Sequence, residues 1–104
     1  VANPSAPTAP TTTDPAPYAA NSAVDVQWVA YTGCPSGLSV SGYNVTVTNG
    51  TATESNPITP SEAGESINVG STGTTTVSYT AVCGSGSSAI QSDPSPSLSL
   101  TIGP

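Results

Sequence analysis

TTTVSYTAVCGSG, Thr74 to Gly86, is the stretch whose reading decides the fold. Val77, Tyr79, Ala81 and Cys83 fall on one parity and Thr76, Ser78, Thr80 and Val82 on the other, the period of two expected of a half-buried strand. The glycine and serine tract that follows punctuates the strand and ends it. Cys83 therefore stands on the inward parity at the end of an uncharged strand.

Other segments repeat this period. Val24, Val26, Trp28 and Ala30 alternate with Asp25, Gln27, Val29 and Tyr31, and TGCPSG then breaks the run. In SVSGYNVTVTNG, Tyr43, Val45 and Val47 share the inward parity while Asn44, Thr46 and Thr48 face outward, and Asn49-Gly50 reads as the closing turn. TATESNPITPSEAGE reads as loop, with Ile58 able to anchor a short edge strand, and SINVG as a further short strand through Ile67 and Val69. SLSLTI places Leu98, Leu100 and Ile102 on one face. No segment keeps helical periodicity through three turns, so the chain reads as all-β, a sandwich or a barrel.

Composition narrows the chemistry. The 104 residues make one domain, with room for a single core. Lysine, arginine and histidine are absent and the formal charge is −6. Phosphate backbones and anionic lipid headgroups are held by cationic side chains, so nucleic-acid binding and membrane-surface binding are excluded as expectations. No apolar run is long enough to span a bilayer, and no signal-peptide pattern precedes the strands. The start at Val1 fits a processed chain, a fragment, or a start codon written literally. Two cysteines in a small chain rich in Ser and Thr fit an oxidising compartment, with buried free thiols as the alternative.

The first segment, VANPSAPTAPTTTDPAP, has prolines at 4, 7, 10, 15 and 17, which remove backbone donors and forbid a central strand or a helix. It reads as an extended arm over residues 1–17 ahead of a sandwich over residues 18–104, with Val1, Pro4, Pro7 and Pro10 as its contact residues. An ordered arm must lie against something, either its own sandwich as an edge strand or a neighbouring subunit.

The leader SAPTAP, the VDVQW strand, Gly42-Tyr43 and above all YTAVCGSGSSAIQSDPSPS together resemble a fibronectin type III domain over nearly the whole chain. The resemblance implies a seven-strand, two-sheet antiparallel sandwich with Trp28 and Tyr43 in its core. Val26, Val45, Val77, Tyr79 and Leu100 join them as expected core residues, drawn from both sheets. The chain departs from the family at Thr75, which stands where a corner tyrosine belongs, so the buried hydroxyl bond of that corner is expected to be missing. An immunoglobulin-like variant stays open. A cysteine pair is not a family requirement; Cys34, in the loop after Trp28, is expected to bond Cys83 and tie that loop to the end of its strand.

Without histidine, lysine or arginine the usual general bases, metal ligands and phosphate clamps are missing. A glycosidase needs only two carboxylates, but of Asp14, Asp25, Glu54, Glu62, Glu65 and Asp93 only Glu62 and Glu65 are close in sequence, in what reads as a solvated loop. A weak calcium site there is the minor alternative. No catalytic residue, metal or cofactor is expected. Asn44-Val45-Thr46 and Asn49-Gly50-Thr51 are glycosylation sequons that matter only in a eukaryotic or archaeal secreted protein. Tyr18 and Tyr31 are candidate platforms for a sugar ring, and SGYNVTVTNG has the length and polarity of a strand that accepts another chain by strand addition.

The expected function is a non-enzymatic structural subunit that decorates or builds a surface assembly, a virion shell or an extracellular filament, its arm reaching a groove on a neighbouring subunit. The alternative is a spacer or carbohydrate-binding module of a secreted multidomain enzyme, with the arm as interdomain linker. Protein partners, with carbohydrate as a second class, and an extracellular or virion-surface location follow from either.

Overall fold

The computed structural model describes residues 4–14, 17–53, 58–59 and 64–103. They form β1 (Tyr18–Ala19), β2 (Ala23–Gln27), β3 (Val40–Thr48), β4 (Gly50–Ala52), β5 (Gly64–Val69), β6 (Gly73–Cys83), β7 (Ile90–Gln91) and β8 (Leu98–Gly103), with one 3-10 turn at Gly86–Ser88. One sheet runs β2-β5-β4, all antiparallel. The other runs β1-β8-β6-β3 with β7 beside the end of β6, antiparallel except that β1 lies parallel to β8.

The two sheets enclose one core. Val24, Val26, Ile67 and Val69 come from the first; Tyr43, Val45, Val77, Tyr79, Ala81, Leu100 and Ile102 come from the second, and Trp28 lies just past β2. Three aromatic rings form its centre: Trp28 lies 5.6 Å from Tyr43 and 5.2 Å from Tyr79, and the two tyrosines are 5.8 Å apart, near edge-on. Tilted and offset contacts of this kind suit the ring quadrupoles and add to the area they bury. In a chain without phenylalanine or methionine, these rings supply most of the bulk that the valines leave unfilled.

Three expectations change. β2 stops at Gln27, so Val29 and Tyr31 belong to a loop and not to its outer face, and Ala30, read on the inner face, is exposed in the same loop. β5 begins at Gly64, which moves Glu65 out of the loop and onto the inward parity, opposite Val26. Asn49-Gly50 closes no hairpin: β4 pairs with β5 in the other sheet, so the chain crosses between layers at this point. Asn49 takes φ 57°, the left-handed region that Asn tolerates better than most residues, and an added Cβ at Gly50 would stand 2.5 Å from the Asn68 carbonyl oxygen.

Residues 4–14, part of the segment read from the sequence as an extended arm lying either on its own sandwich or on a neighbouring subunit, run along their own two-sheet body. Thr11 and Gln27 exchange both backbone hydrogen bonds at 2.7 Å, the Asp93 N–H donates to the Pro4 carbonyl, and Asp14 accepts from the Asp25 N–H through its carboxylate at 2.7 Å. Pro4, Pro7 and Pro10 are buried while Ser5, Ala6 and Thr8 are exposed. Burial at every third residue is the repeat of a polyproline II helix, whose three residues per turn put one stripe of rings against the body. Val1 lies outside the described residues.

The prolines of QSDPSPS create a problem along β6 that two serines solve. Residues 92–97 stand opposite residues 78–81, two more than a regular ladder holds, and Pro94 and Pro96 have no N–H to give. Ser92 and Ser95 donate their own N–H groups to the carbonyls of Ala81 and Tyr79, both at 2.8 Å. Their hydroxyl oxygens then accept the N–H groups of those same residues, Ala81 at 2.9 Å and Tyr79 at 3.0 Å. Both serines are buried, so each hydroxyl replaces a carbonyl that the bulged strand turns away.

Candidate functional site

The pole where β6 ends gathers the features that bear on function. Cys34 and Cys83 are bonded, with Cα atoms 5.6 Å apart, and the bond ties the loop after Trp28 to the end of β6. Cys83 is fully enclosed and Cys34 half-buried. A disulfide of this kind fits a non-reducing environment. The tied loop and the N-terminal segment form the two walls of a groove of about 220 Å³, lined by Ser5, Ala6, Pro7 and Thr8 on one side and by Val29 to Gly33 on the other.

Tyr31 spans this groove. Its hydroxyl donates to the Ser5 carbonyl at 2.7 Å, and its N–H donates to the Tyr43 hydroxyl at 3.0 Å, which satisfies a phenol at the edge of the core. Val29 is 68% exposed on the rim, the most solvent-facing large apolar side chain among the described residues. The Tyr79 hydroxyl is enclosed and makes no hydrogen bond among the described residues; burial raises its pKa above the usual tyrosine value, against a smaller opposing effect of Thr8. Tyr18 sits elsewhere, in β1 against the core, its hydroxyl donating to the Asp14 carbonyl at 2.9 Å. The two tyrosines read as sugar platforms are 13 positions apart, one in β1 and one in the loop after β2, each with its hydroxyl held by a hydrogen bond.

The carboxylates do not assemble. Asp14 is spent on the Asp25 N–H, Asp25 and Asp93 are exposed on different parts of the surface, and Glu65 is buried at the inner edge of β5. Glu54 and Glu62 lie outside the described residues, and so does the Glu62 half of the calcium alternative. Among the described residues no group of three potential metal ligands occurs, and no helix is long and apolar enough to cross a membrane.

The sequons differ in surroundings. Asn44 sits on β3 with its amide donating to the Gln91 side chain at 3.0 Å on the exposed face. Asn49 is built into the body: its Nδ2 donates to the Ser71 carbonyl at 2.9 Å, and its own carbonyl accepts from the Gly70 N–H and the Thr75 hydroxyl, both at 2.7 Å. Thr75 is fully buried, and in place of a corner tyrosine's bond its hydroxyl donates to the Asn49 carbonyl at the layer crossing. What sequence reading missed, the Ser92 and Ser95 hydroxyls and the Asn49 hub, carried a readable signal in the first case: serines flanking prolines inside an otherwise strand-like run.

The fold and this pole together define a disulfide-tied, all-β protein of two sheets. No protein-family model matches the sequence, no curated protein matches it, and no solved structure matches the fold.

Proposed function

We propose that the chain is a non-enzymatic β-sandwich module of the fibronectin type III or immunoglobulin kind, acting as an in-line spacer or ligand-carrying unit of a secreted or surface-exposed multidomain protein. The observation that carries this reading is where the chain enters and leaves. Pro4 is held beside Asp93, next to the Ser92 that bonds Ala81 of β6, whereas at the other end Ile102 lies between Tyr18 and Gly73. Along β6 these points are about 26 Å apart, from eight residues at a strand's rise, in a body 48 Å long and 21 Å across. A module entered at one pole and left at the other adds its length to a string of modules.

Strand order supports the immunoglobulin-like variant within that reading. With the Thr11 segment as A, the first layer runs A-B-E-D through β2, β5 and β4, and the second runs C-F-G through β3, β6 and β8. The rival reading, a subunit that decorates or builds a virion shell or extracellular filament, draws on an arm free to reach a neighbour. With residues 4–11 seated on their own body, that support passes to the in-line reading.

The test is the natural product itself. Antibody raised against the 10.1 kDa chain should detect, in its source, a much larger polypeptide in which the module is one segment. A native product of about the module's own mass that sediments as a large assembly would overturn the spacer reading in favour of the assembly one.

A further inference from the structure

Asn49 is the one asparagine of the chain that precedes a glycine. Asparagine is a thermolabile residue, and a following glycine exposes it to its own main chain: with no Cβ, Gly50 leaves its nitrogen open to approach by the Asn49 carboxamide carbon. The bond that then forms, from the Gly50 nitrogen to Asn49 Cγ, displaces the side-chain nitrogen, which takes up the Gly50 amide proton and leaves as ammonia. A five-membered imide remains. Water opens it, hydroxide to a carbonyl carbon and proton to the ring nitrogen. Aspartate results where the bond to Cγ breaks, and isoaspartate, with one more methylene in the main chain, where the bond to the Asn49 backbone carbonyl breaks.

In the folded chain both partners in this reaction are held. Asn49 Nδ2 donates to the Ser71 carbonyl at 2.9 Å, and Oδ1 accepts from the Ser71 N–H at 3.3 Å and the Ser71 hydroxyl at 3.4 Å. The Asn49 carbonyl accepts from the Gly70 N–H and the Thr75 hydroxyl. Gly50 is paired with Val69 on β5, which removes the freedom that makes the dipeptide reactive. Gly70 fits beside them only without a side chain, since a Cβ there would stand 2.5 Å from Asn49 Oδ1. Ring closure takes Nδ2 away from Ser71 and brings Cγ onto the Gly50 nitrogen, so the crossing between layers has to open first.

We propose that Asn49 is a self-modification site gated by this crossing: shut in the folded chain, and converted to aspartate and isoaspartate when residues 49–50 come away from residues 70–75. Loss of ammonia makes the change one-way, and its products prevent the crossing from closing as before. A carboxylate accepts hydrogen bonds and donates none, so the Ser71 carbonyl loses its partner, and the added methylene of isoaspartate displaces β4 along β5. The product also adds a negative charge to a chain that already carries −6 and has no lysine, arginine or histidine to offset it. Openings of the crossing are thereby recorded as a covalent mark, and marked chains open more readily. This inference stands apart from the spacer reading, since it concerns the chain's own chemistry and not where the module is placed.

Intact mass and anion-exchange chromatography follow the conversion, and Glu-specific or chymotryptic peptides locate it, because a chain without lysine or arginine offers trypsin no site. In warm, mildly alkaline buffer the folded parent should convert at Asn49 more slowly than the same chain held in guanidinium, by about tenfold or more, the ratio reporting how seldom the crossing is open. Gly70→Ala crowds Oδ1 and Thr75→Val removes the hydroxyl on the Asn49 carbonyl; both keep the Asn49-Gly50 dipeptide and should raise the folded-state rate several-fold. Ser92→Ala, which weakens β6 at Ala81 and away from the crossing, should not. If Gly70→Ala does not fold, Thr75→Val decides. Chain purified after conversion at Asn49 should unfold at lower urea than the parent. Equal rates in the folded and guanidinium-held parent, a parent-like rate in Thr75→Val, the same acceleration in Ser92→Ala, or an unchanged urea midpoint after conversion overturns the proposal.

Discussion

Replacing Ser92 or Ser95 with alanine tests whether two hydroxyls substitute for a strand. Each serine is almost fully enclosed, at 3% and 6% exposure, and each hydroxyl accepts one buried main-chain N–H of β6 at 2.9 to 3.0 Å. Each also donates to a carbonyl close behind it, Ser92 to Asp93 and Ser95 to Pro96. Alanine removes the acceptor and leaves the N–H of Ala81 or Tyr79 without a partner, which costs about 1 to 3 kcal/mol for a buried neutral donor. In a domain of this size that is a fall in melting temperature of roughly 4 to 8 °C for each kcal/mol. Ser99→Ala, on the exposed face of β8, is the control and should stay within about 0.5 kcal/mol of the parent. Ser95→Thr keeps the oxygen and should recover part of the loss. Urea unfolding of the four variants, with equal slopes required, reads the differences directly. If Ser92→Ala and Ser95→Ala both unfold with the Ser99→Ala control, the hydroxyls do not complete the ladder and the bulge is held by something else.

Cys34→Ser with Cys83→Ser should cost roughly 4 kcal/mol by the chain-entropy account of a loop of about 50 residues, and an unfolding midpoint unchanged by reductant would count against it. Asn49→Ala should cost roughly 2 to 3 kcal/mol, combining an unfavourable left-handed angle with lost hydrogen bonds, while Asn49→Gly, which keeps the angle, should cost about half as much; equal losses in urea would show that the angle does not matter. Burial raises the Tyr79 pKa in the folded chain, so its contribution to stability is complete below the unfolded value of about 10 and is lost as pH rises from there through the folded value. Guanidinium midpoints followed from pH 8 to 11.5 should fall above pH 10, and Tyr79→Phe should flatten that fall; parallel curves for parent and variant would refute the assignment.

The sequence by itself determined the all-β class and the inward parity of Val26, Trp28, Tyr43, Val45, Val77, Tyr79 and Leu100, and it offered Cys34 a single partner in Cys83, a bond that the structure makes. It did so because a strand's side chains alternate strictly and a loop cysteine near one end of the body has one inward cysteine to reach. It also determined what chemistry is missing, since composition alone removes every cation. Tertiary structure decided the rest. That Asn49-Gly50 crosses between sheets and does not close a hairpin depends on β4 finding β5, a partner more than ten residues away in sequence. That Glu65 faces inward depends on β5 starting at Gly64, and strand ends are set by pairing and not by local preference. The prolines at 4, 7 and 10 were legible as an extended segment, but whether their stripe of rings lay on this body or on another was not. Polyproline II structure satisfies no hydrogen bond of its own, so only the surface that supplies the donors, here Asp93, Tyr31 and Gln27, fixes where it rests.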